Sequence, residues 1–239
     1  MPAENAVIDE FSQKVRQSDV NFIQFINNID PVAIQIFSLE IRWYSLAYIF
    51  GILLGWVYCK KILIKDNYIS RLFDDLISYL IVGIILGGRL GYVLFYNAEY
   101  YLNNLTEVPM IWKGGMSFHG GLIGVLIATM FFSEKHKLNK YIFLDLISAS
   151  APIGIFLGRI SNFINSELYG RETSVLWSVV FTKVDNVSRH PSQIYEALLE
   201  GMILFIIIFL FTKKNYLIKP GLVSSLFLIF YSIFRFFVE

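Results

Sequence analysis

Residues 76–97 read LISYLIVGIILGGRLGYVLFYN. The run is long enough to cross a bilayer core as a helix, which takes about 20 predominantly apolar residues. It carries one charge, Arg89, well inside its length. Lipid cannot satisfy an open backbone, so a helix is the expected form, and the continuous apolar character lacks the alternation of a barrel strand. Five further stretches qualify or come close, at about 43–59, 114–133, 141–161, 197–212 and 218–238. The expectation is an all-α, polytopic membrane helix bundle with six spans.

The composition agrees. Of 239 residues, 56% are hydrophobic, 17% aromatic and only 16% charged, where soluble domains hold ~45–50% apolar and ~25% charged residues. A water-soluble globular chain is excluded, and 22 Phe with 14 Tyr exclude a disordered one. A net charge of +1 gives no basis for a nucleic-acid partner held by bulk positive charge. The single cysteine, Cys59, rules out an internal disulfide framework and a Cys-based zinc site. Residues 1–20 carry Glu4, Asp9, Glu10 and Asp19 and no apolar run, unlike a cleavable signal peptide. Residues 21–40 read as an amphipathic segment near the surface, broken at Pro31.

Loop charge sets the orientation, because lysine and arginine collect on the cytoplasmic side. One set of short loops holds Lys60, Lys61, Lys65 and Arg71, then Lys135, Lys137 and Lys140, then Lys213, Lys214 and Lys219. The opposite side is longer and carries Lys14, Arg16, Arg42, Lys113, Arg171, Lys183 and Arg189. The amino terminus is therefore expected outside. Glycines recur at four-residue spacing, as Gly51/Gly55, Gly83/Gly87/Gly91, Gly120/Gly124 and Gly154/Gly158. Such spacing lets helix backbones approach closely in lipid and predicts tight packing.

A charge inside a span costs about 2.5–3.5 kcal/mol on insertion scales, so each one asks for a reason. Arg89 lies in the second span, His119 near the outer end of the third and Arg159 near the outer end of the fourth, followed by Asn162 and Asn165. Arg235 lies near the outer end of the sixth, with Tyr231 and Glu239 four residues to either side on one helix face. Arg42 and Tyr44 open the first span. These groups belong to different helices and all fall in the outer half. Each also has an ordinary reading. Arg42 can snorkel to headgroups, Arg89 can bridge helices, His119 can be an interfacial hydrogen bonder, and Trp43 and Tyr44 can anchor at the interface. Asp145 and Glu200 read as belonging to the inner part of spans four and five and receive no role, and Cys59 sits at an inner end. Arg159 and Arg235 are harder to account for. Two guanidiniums facing one outer cavity need anions, and Glu167 and Glu239 supply only part. A guanidinium fork suits phosphate, and phosphate at that depth belongs to lipid headgroups. His119 is the nearby group able to move a proton near neutral pH.

A transporter with an anion site would favour midplane charges and inverted repeats, whereas these charges sit outward and no repeat is evident. An intramembrane protease would need a better pair than Ser117 and His119, which lie too close in sequence. A lipid-binding scaffold without catalysis stays open on these residues alone.

Six motifs, in order, carry a resemblance: IRWY at 41–44, GGRLGY at 87–92, GGMSFHGG at 114–121, GRISNFINSELYGR at 158–171, RHPSQIYE at 189–196 and FRFFVE at 234–239. In this order and spacing the chain resembles the phosphatidylglycerol–prolipoprotein diacylglyceryl transferases over about residues 30–239. The fourth motif is long and specific. The resemblance implies transfer of a diacylglyceryl group from phosphatidylglycerol to the lipobox cysteine thiol of a prolipoprotein signal peptide. A thioether forms and glycerol 1-phosphate leaves. It implies no metal and no organic cofactor. It implies a multi-pass protein of the bacterial cytoplasmic (inner) membrane among membrane lipids, with the site toward the outer half of the bilayer. Arg159 matches the family's lipid-binding arginine, and Asn162, Asn165, Glu167 and Gly170 belong to the same motif. His119 matches a histidine proposed as thiol base or headgroup contact, and Arg235 a second essential arginine. Tyr44, Arg89, Tyr231 and Glu239 fall on family positions read as substrate-binding. The implied organisation is an extracytoplasmic amphipathic segment at 1–40 and a transmembrane catalytic domain at 41–239, with an outer loop at about 162–196. The family usually adds another arginine and a seventh span beyond the position of Glu239.

Overall fold

A computed structural model describes residues 25–37, 39–213 and 219–238. In chain order the elements are β1 (Phe25–Asn27), β2 (Val32–Ile36), β3 (Leu39–Arg42), α1 (Trp43–Leu63), α2 (Asn67–Phe95), α3 (Ala98–Asn103), α4 (Phe118–Lys135), α5 (Lys140–Asn165), β4 (Val179–Phe181), β5 (Ser188–Arg189), α6 (Ser192–Lys213) and α7 (Leu222–Val238). Helix dominates. Four helices, α1, α2, α5 and α6, are long and apolar enough to cross a membrane. Helix α7 is apolar but only 17 residues long, and α4, with 18, ends in Glu134 and Lys135. Side chains such as Leu53, Leu54, Val82, Leu86, Ile127 and Leu210 stand exposed, as a lipid-facing surface requires.

The contacts divide the chain into two units. The first comprises Tyr44–Arg159 and the residues from Tyr195 onward, and is helical. Its tightest seam joins α2 to α4 in antiparallel fashion through the glycine ladder. A Cβ added at Gly124 would sit 2.0 Å from the Gly83 carbonyl oxygen, and one at Gly120 2.2 Å from that of Gly87. Helices α1 and α5 also run antiparallel and close, a Cβ added at Gly51 lying 3.2 Å from Gly154 Cα and one at Gly55 3.2 Å from Ser150 Cβ. Gly158, in contrast, faces open space. An apolar core of Tyr58, Cys59, Phe73, Leu76, Phe132, Phe143, Leu204, Ile208 and Val223 fills the end of the bundle near the lysine-rich loops. There the buried Asp145 caps α7 from a neighbouring helix, its two oxygens accepting from Gly221 N at 2.7 Å and from Ser224 N and Oγ at 2.8 and 2.6 Å. Asp145 thus does have a role, in the start of α7.

Helix boundaries differ from the apolar windows for local reasons. Helix α2 begins at Asn67 because Asp66 caps it, accepting from Tyr68 N and Ile69 N at 2.7 and 2.9 Å. Asp74 stays within that helix because Trp56 Nε1 donates to it at 2.7 Å and Lys60 pairs with it. Helix α4 begins at Phe118, since Gly114 and Gly115 take positive φ of 80° and 83° and Ser117 serves as the cap. Helix α6 begins at Ser192, five residues before the apolar run at 197, which brings Glu196 inside it.

The second unit, residues 25–43 and 160–194, corrects the expectation of helices alone. Its described part of the segment read as amphipathic forms strands, and residues 1–24 of that segment lie outside the described residues. Val32, Ile34 and Ile36 alternate with Ala33 and Gln35, the period of a strand. Strands β2 and β3 pair antiparallel, turning at Phe37, which is 96% exposed. Strand β1 pairs parallel with β4, which pairs antiparallel with β5. The small core is Phe181 against Phe163 and Tyr169, and the buried Asn27 donates its side-chain amide to the Phe163 carbonyl.

Replacing Gly124 by leucine should cost roughly 1–3 kcal/mol or more, because the intruding carbons meet backbone rather than movable side chains. Thermal unfolding in detergent should show a lowered midpoint, while Gly158→Ala leaves it nearly unchanged. Asp145→Ala should destabilise by roughly 1–3 kcal/mol through the lost bonds to α7, seen as faster hydrogen exchange at Leu222–Ser225.

Candidate active site

The charges that the apolar helices carry are not scattered. Helix α6 crosses α5 at backbone distance, since a Cβ at Gly201 would lie 2.6 Å from Phe156 Cβ and 2.8 Å from its Cα. One turn from this crossing stands Arg159. Its Nε lies 2.9 Å from Glu196 Oε2 and its Nη2 3.5 Å from Glu200 Oε2. Helix α7 brings Arg235, whose Nη1 donates to Glu196 Oε1 at 2.6 Å and lies 3.7 Å from Glu200 Oε1. The two arginines therefore share both carboxylates. Glu200 is fully buried and Glu196 nearly so. Tyr231, one turn before Arg235, is half-buried beside Arg159, Arg235 and Glu200 and stacks on Phe227 at 5.8 Å. Buried charges persist only when paired, so removing one partner would strand another. Glu196 and Glu200 went unassigned in the sequence reading. Glu200 sits with the two arginines, one turn before Leu204 of the apolar core. The four-residue spacing of the two glutamates was the signal available.

Within α6, residues Ala197–Ile203 form a π-helical turn that carries Glu200. Such turns interrupt regular hydrogen bonding and recur at functional positions.

The long motif falls in the strand-bearing unit beyond Arg159. Glu167 is its hub. Its carboxylate accepts from Asn162 Nδ2 at 3.3 Å and Asn165 Nδ2 at 3.4 Å, its N–H donates to Asn162 O at 2.9 Å, and its carbonyl accepts from Gln193 Nε2 at 2.6 Å. Ser166 and Leu168 on either side take left-handed φ of 60° and 53°. Gly170 donates to the His190 carbonyl at 2.9 Å, and a Cβ there would lie 2.9 Å from both that oxygen and His190 Cβ. Gly170 is thus required by close approach of backbone. Gln193, fully buried, was missed by the sequence reading; its place in RHPSQIYE is the only hint. Nearby, Arg189 binds Asp185 at 2.6 Å and stacks over Tyr169. Its hydrogen bond, followed by one from Val187 N–H, holds the Asp185 carboxyl below the usual carboxylate range.

Other expected residues stand apart. Arg89, 3% exposed, gives four of its donors to backbone carbonyls: Nε to Val108 at 2.7 Å, Nη2 to Glu107 at 2.8 Å, and Nη1 to Gly114 and to Gly115 at 3.2 Å. It also covers the Tyr101 ring at 5.1 Å. That guanidinium organises the segment between α2 and α4. His119 is exposed in the first turn of α4, meets Phe118 edge-on, and makes no hydrogen bond among the described residues. Tyr44 is half-buried and meets Tyr48 edge-on at 5.2 Å. Glu239 lies outside the described residues. Among the described residues no three His, Cys, Asp or Glu side chains gather as a metal site.

The sequence model of the family described as prolipoprotein diacylglyceryl transferase matches residues 31–239. The chain belongs to that family. Its relatives include proteins named phosphatidylglycerol–prolipoprotein diacylglyceryl transferase from several bacteria. That of Rickettsia bellii (strain OSU 85-389) is 48% identical over 215 residues, covering 89% of this chain and 82% of its own length. That of Rickettsia felis is 47% identical, covering 89% and 83%. That of Nitrobacter hamburgensis is 48% identical over 215 residues, covering 86% of this chain and 74% of its own length.

Replacing Arg89 by lysine should leave most of its carbonyl partners unbonded, because a single ammonium cannot span them. Limited proteolysis should then cut the segment at 104–114 several-fold faster, with the rest of the chain unaffected.

Proposed function

We propose that this chain transfers the diacylglyceryl group of phosphatidylglycerol to the lipobox cysteine thiol of a prolipoprotein signal peptide. The family is one of transferases, and this chain is such an enzyme. Two guanidiniums on separate helices, gathered on shared carboxylates in an apolar bundle, are the observation that carries the reading to residues. The thiol sulfur attacks the glyceryl carbon that bears the phosphate ester. The carbon–sulfur bond forms as the carbon–oxygen bond breaks, and the electron pair leaves on glycerol 1-phosphate. Negative charge on that phosphate grows in the transition state, and preorganised guanidiniums in a low-dielectric site stabilise it. Arg159 and Arg235 take this role.

The attacking sulfur must be a thiolate, whose free pKa is near ~8.5. His119 is assigned to that proton or to the headgroup, on the strength of its motif. Asn162, Asn165, Glu167 and Gly170 are assigned to substrate binding, Glu167 as the hub and Gly170 as the turn that holds it. Tyr44, Arg89, Tyr231 and Glu239 are assigned to the substrate-binding set, Arg89 also holding its loop. The chain spans the cytoplasmic membrane six times, with its amino terminus outside and the arginine end of the bundle toward the outer leaflet. Residues 1–40 form the extracytoplasmic segment, 41–239 the catalytic domain and about 162–196 its outer loop.

Membranes carrying the chain, given labelled phosphatidylglycerol and a lipobox peptide, should form a labelled thioether product. Arg159→Ala or Arg235→Ala should lose most of it, about 100-fold or more. Arg159→Lys should not restore it, because a point charge does not reproduce bidentate recognition. Lipid binding without product from the unaltered chain would instead mark a binding scaffold.

A further inference from the structure

The two glutamates hold the arginines unequally. Glu196 makes the short contacts, 2.6 Å to Arg235 Nη1 and 2.9 Å to Arg159 Nε. Glu200 stands off at 3.5 Å from Arg159 Nη2 and 3.7 Å from Arg235 Nη1, while each carboxylate leaves one oxygen without a hydrogen-bond partner, Glu196 Oε2 and Glu200 Oε1. Yet Glu200 is the more deeply buried of the two, at 0% exposed against 5%. A buried carboxylate with loose contacts is poorly compensated for leaving water. It also sits on the π-helical turn, where the backbone departs from the regular α-helix.

Position on the guanidinium adds a second distinction. Glu196 holds Arg159 by Nε, while Glu200 touches the Nη2 end. A phosphate received in bidentate fashion needs a terminal edge of the fork. Charge adds a third. Among the described residues two guanidiniums and two carboxylates sum to zero, so an incoming phosphodiester would meet a neutral cluster in a medium of low dielectric. It gains full attraction only if one carboxylate gives way.

We propose that Glu196 is a positioning residue that bridges Arg159 and Arg235 throughout turnover, and that Glu200 is an internal anion occupying the Nη end of Arg159 until the lipid phosphate displaces it. The proposal rests on the reading of the arginine pair as the phosphate site. It explains why a second glutamate is kept at that depth at such long distances from both arginines. It also gives the product a way out, since a returning Glu200 competes with glycerol 1-phosphate for the same edge.

The test uses the full chain purified in detergent, with equilibrium binding of fluorescent phosphatidylglycerol, kcat and KM for the lipid, and thermal unfolding as a control for folding. Glu200→Gln removes the internal competitor and should tighten lipid binding about threefold or more. Glu200→Asp, which draws the carboxylate further back, should shift binding the same way by less, and it serves where the glutamine variant does not fold. Glu196→Gln should lower kcat about tenfold or more, while KM for the lipid changes much less. Weaker lipid binding in both Glu200 variants, or equal changes in kcat and KM at the two glutamates, would overturn the proposal. Arg159→Ala separates the two levels. If it retains phosphatidylglycerol binding, the arginine reading itself fails. If it loses binding while the Glu200 variants bind no tighter than the parent, only the exchange of Glu200 for phosphate is refuted.

Discussion

Positive charge within an apolar bundle must be neutralised where it stands, and here that condition organises three helices. Arg159 on α5 and Arg235 on α7 reach the same glutamates on α6. Other features serve that meeting. Gly201 lets α6 come against α5 at backbone distance, and the π-helical turn re-aims Glu200. Far along α5, Asp145 grips the start of α7. Fourteen residues of helix separate Asp145 from Arg159, about 21 Å at 1.5 Å per residue. A capped start at one end thus fixes where Arg235 arrives at the other.

Such an ionic knot is a poor way to gain stability. Desolvating four charges costs several kcal/mol per ion, and well-packed apolar residues of similar volume often do as well or better. Its retention in a chain otherwise built from Leu, Ile and Phe argues for use rather than for holding the bundle together. The holding is done elsewhere, by the glycine seam between α2 and α4 and by the core around Phe132 and Phe143.

Much of this was legible in the letters. Arg159 and Arg235 stand out because a charge in an apolar run is visible to anyone counting, and the glycine spacing named its own interface. The glutamates were obscured by a boundary. An apolar window opening at 197 leaves Glu196 outside the helix and Glu200 at its edge, whereas the helix starts at Ser192 and carries both on its inward side. Arg89 shows a different limit. Its sequence context is the same for a lipid contact and for a backbone tie, and the ring of carbonyls it binds, from Glu107 to Gly115, lies beyond any local pattern. The small sheet was missed because β1, β4 and β5 are two or three residues each and β1 finds β4 across more than a hundred positions. No local period announces that.

The seam between α2 and α4 has one more implication. Where side chains interdigitate, helices can slide by changing rotamers; where peptide lies on peptide, nothing is left to adjust. These two helices must move as a single rigid plank. Any breathing that lets a two-tailed molecule in from the surrounding bilayer has to occur at another edge, where bulkier groups such as those of α7 can swing aside.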